Sequence, residues 1–122
     1  MECQPSLSPM LSPERLAEVE RQAHTSFSLL ASTDDLAKEA LFYKALGDAT
    51  RLKIIALLLV SDICLCQLVE LLNIPTSTMT HHLQVLDRGG IIVTTRAGKF
   101  SLYAILDPLR ETLRKVLLGS KI

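Results

Sequence analysis

Apolar residues recur at helical spacing along most of the chain and change to alternation only in its last third. After a Ser/Pro-rich stretch over residues 1–11, Ser12, Pro13 and Glu14 form a helix start: a capping hydroxyl, a proline at the first helical position and an acid against the positive end of the dipole. Leu16, Val19, Ala23, Phe27 and Leu30 follow at helical spacing and predict one apolar stripe. Thr33 is placed to cap a second helix, with Asp34 and Asp35 in its first turn, Leu36, Ala40 and Tyr43 on its stripe, and Gly47 at its end. Asp48 caps a third, in which Leu52, Ile54, Ile55, Leu57, Leu58 and Leu59 are apolar on nearly every side. Such a helix belongs at the centre of the core.

Beyond a break at Ser61-Asp62, the pair Cys64 and Cys66 opens a short helix with Leu65, Leu68, Val69 and Leu72 as its buried stripe. Asn73-Ile74-Pro75 predicts a tight turn, because proline disfavours helix in the residue before it. Thr76 or Ser77 then caps a helix running to about Arg88 and stopped by Gly89-Gly90. Here the period changes. Ile91 to Thr95 and Phe100 to Ile105 are rich in β-branched and aromatic residues, and Arg96-Ala97-Gly98-Lys99 joins them as a hairpin turn. Asp107 as N-cap and Pro108 at the first helical position open a last helix with Leu109, Leu113, Val116 and Leu117 on one face. The expected fold is mainly α with a small β-hairpin, in the order helix, turn, helix, hairpin of a winged helix-turn-helix. Residues 1–11 are expected to form a flexible N-terminal arm and 12–122 one winged helix-turn-helix domain.

Composition narrows the function. The 122 residues are 48% hydrophobic and carry 13 basic against 13 acidic side chains, which argues against a disordered tail and against a uniformly basic nucleic-acid binder. The balance conceals a division: residues 1–48 hold four basic and eight acidic side chains, residues 49–122 nine and five. The basic half contains the helix-turn-helix and the hairpin, as a DNA-facing surface requires. The longest apolar run, Ile54 to Val60, is far shorter than the roughly 20 residues that span a bilayer. With Glu2, no basic residue and three prolines, Met1 to Pro13 does not read as a signal peptide. A cytoplasmic protein without membrane contact is expected.

The helix after the tight turn presents short polar groups, Thr76, Ser77, Thr78, Thr80, His81, His82 and Gln84. Hydroxyls bond phosphates or base edges, and glutamine can pair with adenine in the major groove. Arg96 and Lys99 flank the hairpin tip, where a wing touches the DNA backbone. Each feature alone is ordinary, since Ser and Thr at a helix start are usually caps. Their order together favours DNA.

From about Phe42 to Leu106 the chain resembles the ArsR/SmtB family of metal-responsive repressors. The resemblance rests on Leu46-Gly47-Asp48-Ala49-Thr50-Arg51-Leu52, Thr80-His81-His82-Leu83-Gln84-Val85-Leu86, Gly89-Gly90-Ile91-Ile92, and Arg96-Ala97-Gly98-Lys99 followed by Tyr103. Ala49 stands where the family often has proline. The resemblance implies a homodimer joined through the first and last helices, with two recognition helices in successive major grooves of an inverted-repeat operator.

Cys64 and Cys66 lie two apart. In a regular helix such residues point about 200° from each other, so both sulfurs reach one ion only if the first turn is extended or unwound. Thiolates suit zinc, cadmium, lead or trivalent arsenic and exclude calcium and magnesium, and a helix N-terminus favours the thiolate. Asp62-Ile63-Cys64-Leu65-Cys66-Gln67-Leu68 is similar to the thiolate site of the family's cadmium, lead and arsenite sensors, with Val69 where some arsenite sensors have a third cysteine. The resemblance implies Cys3, on the N-terminal arm, as a further ligand. Of the family's second metal position, on the last helix, only Asp107 remains, with Leu109 and Ser120 in place of histidines, so that site is expected to be absent and Asp107 to serve as a cap. His24 reads as solvated.

The expected function is a repressor that releases its operator when arsenite, cadmium, lead or zinc binds Cys64 and Cys66. Two alternatives share the fold: a thiol redox sensor, or a DNA-binding module with inert cysteines. An enzyme is not expected, because no acid, base and nucleophile converge.

Overall fold

The computed structural model describes residues 10–119, so Cys3 and Ser120 lie outside the described residues. The chain divides into two compact units, Met1–Ala37 and Lys38–Ile122. Residues 1–9 of the expected arm lie outside the described residues, and the division between the two units falls inside a helix.

In the first unit, α1 (Pro13–Ser26) starts as expected, with Ser12 Oγ accepting from the Arg15 N–H at 3.1 Å. It stops short of Leu30. Thr25 Oγ donates to the Arg21 carbonyl at 2.9 Å, the His24 ring nitrogen lies 3.0 Å from the Glu20 carbonyl, and Phe27 is extended at φ −120°, ψ 94°. Side chains competing for the last carbonyls favour an end there. Phe27 and Leu30 therefore leave the α1 stripe, and Ser28–Ala31 form a separate 3₁₀ turn. No residue of α1 is buried. The cap of α2 (Thr33–Leu46) is also displaced by one residue: Ser32 Oγ accepts from the Asp35 N–H at 3.2 Å, and Thr33 is the first helical residue.

The second unit holds the rest of α2 and one core. On α2 the inward residues are Ala45, fully buried, with Phe42 and Leu46 half-buried against it. The expected stripe of Leu36, Ala40 and Tyr43 stays exposed. A close approach selects this face, because a Cβ at Gly89 would meet Ala45 Cβ at 2.9 Å and the Leu41 carbonyl at 3.0 Å.

In α3 (Ala49–Val60), Asp48 Oδ2 accepts from the Arg51 N–H at 3.1 Å, the expected cap. Ile54, Ile55 and Leu58 are fully buried, whereas Leu52, Leu57 and Leu59 are only partly covered and Val60 is 87% exposed. They pack with Leu68 of α4 (Leu65–Leu72), with Met79, Leu83 and Leu86 of α5 (Thr76–Arg88), and with Leu113 of α6 (Arg110–Leu117). Asn73 ends α4 in the left-handed region at φ 52°, ψ 49°, a conformation asparagine tolerates. Pro75, not Thr76 or Ser77, occupies the cap position of α5, and no side chain caps that end.

The sheet has three antiparallel strands where two are expected. β2 (Ile92–Ala97) pairs with β3 (Phe100–Ile105) from Ile92↔Ile105 to Ala97↔Phe100. Arg96 and Ala97 are thus strand residues, and the turn is Gly98-Lys99 with Gly98 at φ +64°, the left-handed backbone that a two-residue hairpin needs. β1 (Ile63–Cys64) adds to the far side of β3, giving the order β1-β3-β2. Past the sheet, Asp107–Leu109 make a 3₁₀ turn before α6. Asp107 is not a backbone cap; its carboxylate accepts from Arg110 Nε at 3.2 Å. Among the described residues no helix is long and apolar enough to cross a membrane.

Candidate nucleic-acid interface and thiol pair

α4, the turn at Asn73 to Pro75, and α5 form the helix-turn-helix, and β2–β3 the wing beside it. Thr76, Ser77, Thr78, Thr80, His81 and Gln84 are exposed on α5. Since no side chain caps this helix, the first three hydroxyls are not spent on its own N–H groups. Thr80, Leu83, Gln84 and Asp87 of α5 line a shallow hollow together with Thr94 and Tyr103 of the wing. The sequence marks Tyr103 only within the family resemblance and Thr94 only as a strand residue; their pairing in strands beside the helix is what puts them here. Arg96 and Lys99 are exposed at the wing, with Arg96 Nη1 donating to Ser101 Oγ at 3.5 Å across the hairpin.

His82 departs from this row. Only 13% of its side chain is accessible, and its Nδ1 lies 3.2 Å from Arg51 Nη1 and 3.9 Å from Asp48 Oδ2. Arginine carries donors only, so Nδ1 accepts from the guanidinium. The same guanidinium donates through Nε to the Ala45 carbonyl and through Nη2 to the Lys44 carbonyl, both at 2.9 Å. These are carbonyls of the last turn of α2, at its negative end, and the Lys44 carbonyl also accepts from the Gly47 N–H at 3.1 Å. Arg51, 8% exposed, therefore ties α2, α3 and α5 together. Its spacing with Ile54, Ile55 and Leu58 places it on the buried stripe. Hydrogen bonds from the Arg51 and Thr50 N–H groups, with the Arg51 charge, hold the Asp48 carboxyl below the usual carboxylate range.

Cys64 is the last residue of β1 and stands at the N-cap of α4, extended at φ −85°, ψ 162°; Cys66 lies in the first helical turn. The extended residue removes the opposition that two helical positions would impose, and the two sulfurs lie 3.3 Å apart. The Gln67 N–H at the start of the helix, then the Cys66 thiol, push the Cys64 thiol down from its ordinary value. Cys66, donating to Cys64 and repelled by its charge, is pushed up. Cys64 is thus the more acidic thiol of the pair and Cys66 the less acidic. Cys64 Sγ is also 3.3 Å from Gln67 Oε1, which accepts from the neutral thiol; the amide turned over offers its NH₂ to the thiolate. Iodoacetamide at limiting concentration is expected to label Cys64 ahead of Cys66, read by peptide mass spectrometry at near-neutral pH, because the thiolate is the nucleophile. Equal labelling would contradict the assignment.

Two soft sulfur donors at this spacing suit an ion that binds thiolates at about 2.3 Å. Among the described residues no group of three His, Cys, Asp or Glu side chains is close enough to hold a metal, so the pair supplies two donors only.

The family described as "Bacterial regulatory protein, arsR family" matches residues 48–94, from the Asp48 cap through the recognition helix to the wing. An uncharacterized HTH-type transcriptional regulator of Methanocaldococcus jannaschii is 38% identical over 81 residues, covering 65% of this chain and 91% of the relative. The chain belongs to the ArsR family. Other relatives of this ArsR-family regulator carry metal-resistance names: a cadmium resistance transcriptional regulatory protein CadC homolog of Staphylococcus aureus is 34% identical over 94 residues, 71% of this chain and 78% of the relative. Among solved structures, the homodimeric winged helix-turn-helix DNA-binding domain Mb0332 of Mycobacterium bovis aligns at TM-score 0.65 and 25% identity, over 69% of this chain and 79% of that one. The protein is thus a DNA-binding transcriptional regulator with a winged helix-turn-helix, and not an enzyme.

Proposed function

We propose that this ArsR-family regulator is a homodimeric repressor of an inverted-repeat operator, and that a thiophilic metal or arsenite bound at Cys64 and Cys66 releases it. The observation that carries the reading is the position of the two sulfurs, 3.3 Å apart with each on a different DNA-contacting unit. Cys64 belongs to β1, paired through Cys64↔Leu102 to the wing strand β3, and Cys66 belongs to α4, which packs on α5. A change in the angle between the extended Cys64 and the helical Cys66 therefore moves the wing against the reading helix. Cys3 is the expected third donor, supplied by the N-terminal arm.

Thr76, Ser77, Thr78, Thr80, His81 and Gln84 contact DNA in the major groove, and Arg96 and Lys99 hold the flanking backbone. The basic excess of residues 49–122 supports this face. Uncovered apolar residues of the first helix and at the end of the last support pairing of two copies there: Leu16 is 55%, Val116 45% and the C-cap Leu118 73% exposed.

The test is operator binding by the reduced protein while arsenite, cadmium, lead and zinc are titrated, with thiolate charge-transfer absorbance recorded in parallel. At least one of the four is expected to weaken operator binding by roughly 5- to 150-fold as the absorbance saturates. The 3.3 Å sulfur contact equally suits oxidation, so release by peroxide with no release by any metal would establish the redox reading instead.

A further inference from the structure

We infer that His82 acts as a positioning residue for the recognition helix rather than a DNA contact, and that its protonation weakens operator binding. The inference rests on α5 being the helix that reads DNA. Three observations lead to it. First, His82 lies mid-way along α5 between exposed residues, yet its own side chain is turned inward, 13% accessible. Second, its Nδ1 faces two groups of opposite demand: the Arg51 Nη1 donor at 3.2 Å and the Asp48 Oδ2 acceptor at 3.9 Å. Third, Arg51 is held in place by two backbone carbonyls of α2 and by burial, so it cannot follow a moving partner.

Nδ1 accepts from Arg51 only while it carries no proton. The neutral ring therefore has its proton on Nε2, and the bond pins α5 to the junction of α2 and α3. When Nδ1 gains a proton, an N–H is aimed at an N–H across 3.2 Å and two positive charges meet. Relief lies toward Asp48, whose carboxylate stays charged because the helix N-terminus and Arg51 hold it so. The swing toward Asp48 displaces the recognition helix.

The charged groups facing His82 are Asp48 and Arg51 at the start of α3 and His81 on its own helix, with ring centroids 6.1 Å apart. Among the described residues no other carboxylate lies within 4 Å of its ring. The sign of the effect separates this role from a phosphate contact. A histidine bonded to phosphate strengthens DNA binding when it becomes charged; a pin that must stay neutral weakens it.

Operator affinity of the full, reduced, metal-free chain is measured from about pH 8 to about pH 5.5. Binding at pH 8 checks the DNA reading first and independently. The wild type is expected to lose about tenfold in affinity on acidification, one charge-assisted hydrogen bond's worth. In H82N the amide oxygen replaces Nδ1 as acceptor without titrating, so affinity at pH 8 stays within about threefold of the wild type and the acid loss disappears. H81N keeps the acid loss. An unchanged pH profile in H82N, or wild-type affinity that rises on acidification, would overturn the proposal. Long-range ¹⁵N–¹H spectra of the wild-type imidazole at pH 8 decide it without a variant: a proton on Nε2 is expected, and a proton on Nδ1 contradicts it.

Discussion

Replacing Arg51 by alanine is expected to lower folding stability by about 3–5 kcal/mol, a large share of the roughly 5–15 kcal/mol that holds a domain of this size. The loss has identifiable parts. The Ala45 carbonyl, bonded to Nε at 2.9 Å in a buried site, is left without that partner, whereas the Lys44 carbonyl keeps the Gly47 N–H at 3.1 Å. An unsatisfied buried acceptor costs about 1–3 kcal/mol. Removing the long side chain also leaves a hole among α2, α3 and α5. Lysine at this position keeps the charge but not the planar fork, and one ammonium on a single stem does not reproduce three diverging bonds, so Arg51→Lys is expected to lose about 2 kcal/mol. Urea unfolding of the three proteins measures both values. A loss below about 1 kcal/mol in Arg51→Ala would mean that water replaces the guanidinium, contradicting a role for Arg51 as the joint of the fold.

The second large effect falls on release and not on folding. Cys64→Ser is expected to leave operator affinity within about threefold of the wild type while abolishing release by the metal that acts on it. Position 64 is the N-cap of α4, and serine is a favourable N-cap residue, so the helix start and the pairing of Cys64 with Leu102 survive the change. What disappears is the thiolate, for which a hydroxyl is no substitute at neutral pH. Cys66→Ser is expected to do the same, since its exposed side chain contributes little to packing. Gel-shift or anisotropy titrations with and without metal read both quantities. Loss of operator affinity without metal would mark the cysteines as structural, and retained release in both variants would move the effector site elsewhere.

How much of this was legible in the sequence depends on whether the governing contact is local. Asp48 as a cap, glycine in the hairpin turn, and the change from helical to alternating period are decided within a few residues, and the structure has them where the pattern places them. Ser32 and Pro75 displace their expected caps by one residue because several adjacent residues were equally able to start a helix. The stripe on α2 is a different kind of failure: Leu36, Ala40 and Tyr43 have the right spacing, yet Gly89, more than forty residues away, selects the face carrying Ala45. The two-residue strand β1 has no periodicity to read and exists only because β3 offers it an edge.

Arg51 illustrates why the candidate site was only partly readable. A charged residue is ordinarily solvated, and nothing local shows that the end of another helix offers it two carbonyls. His82 follows from it, since the same guanidinium draws this ring out of the row of exposed groups on α5. The C-x-C spacing was legible as an alternative, either opposed sulfurs in a helix or converging sulfurs in an extended turn. The link of Cys64 to the wing was not, because it runs through β1.

The central claim is that the thiol pair and the DNA face are coupled, and coupling between two binding sites is reciprocal. The most direct test measures metal affinity twice by thiolate charge-transfer absorbance, with the protein free and with it saturated by operator DNA. Operator DNA is expected to weaken metal binding by the same factor, roughly 5- to 150-fold, by which the metal weakens operator binding. Equal metal affinity in the two states would contradict it.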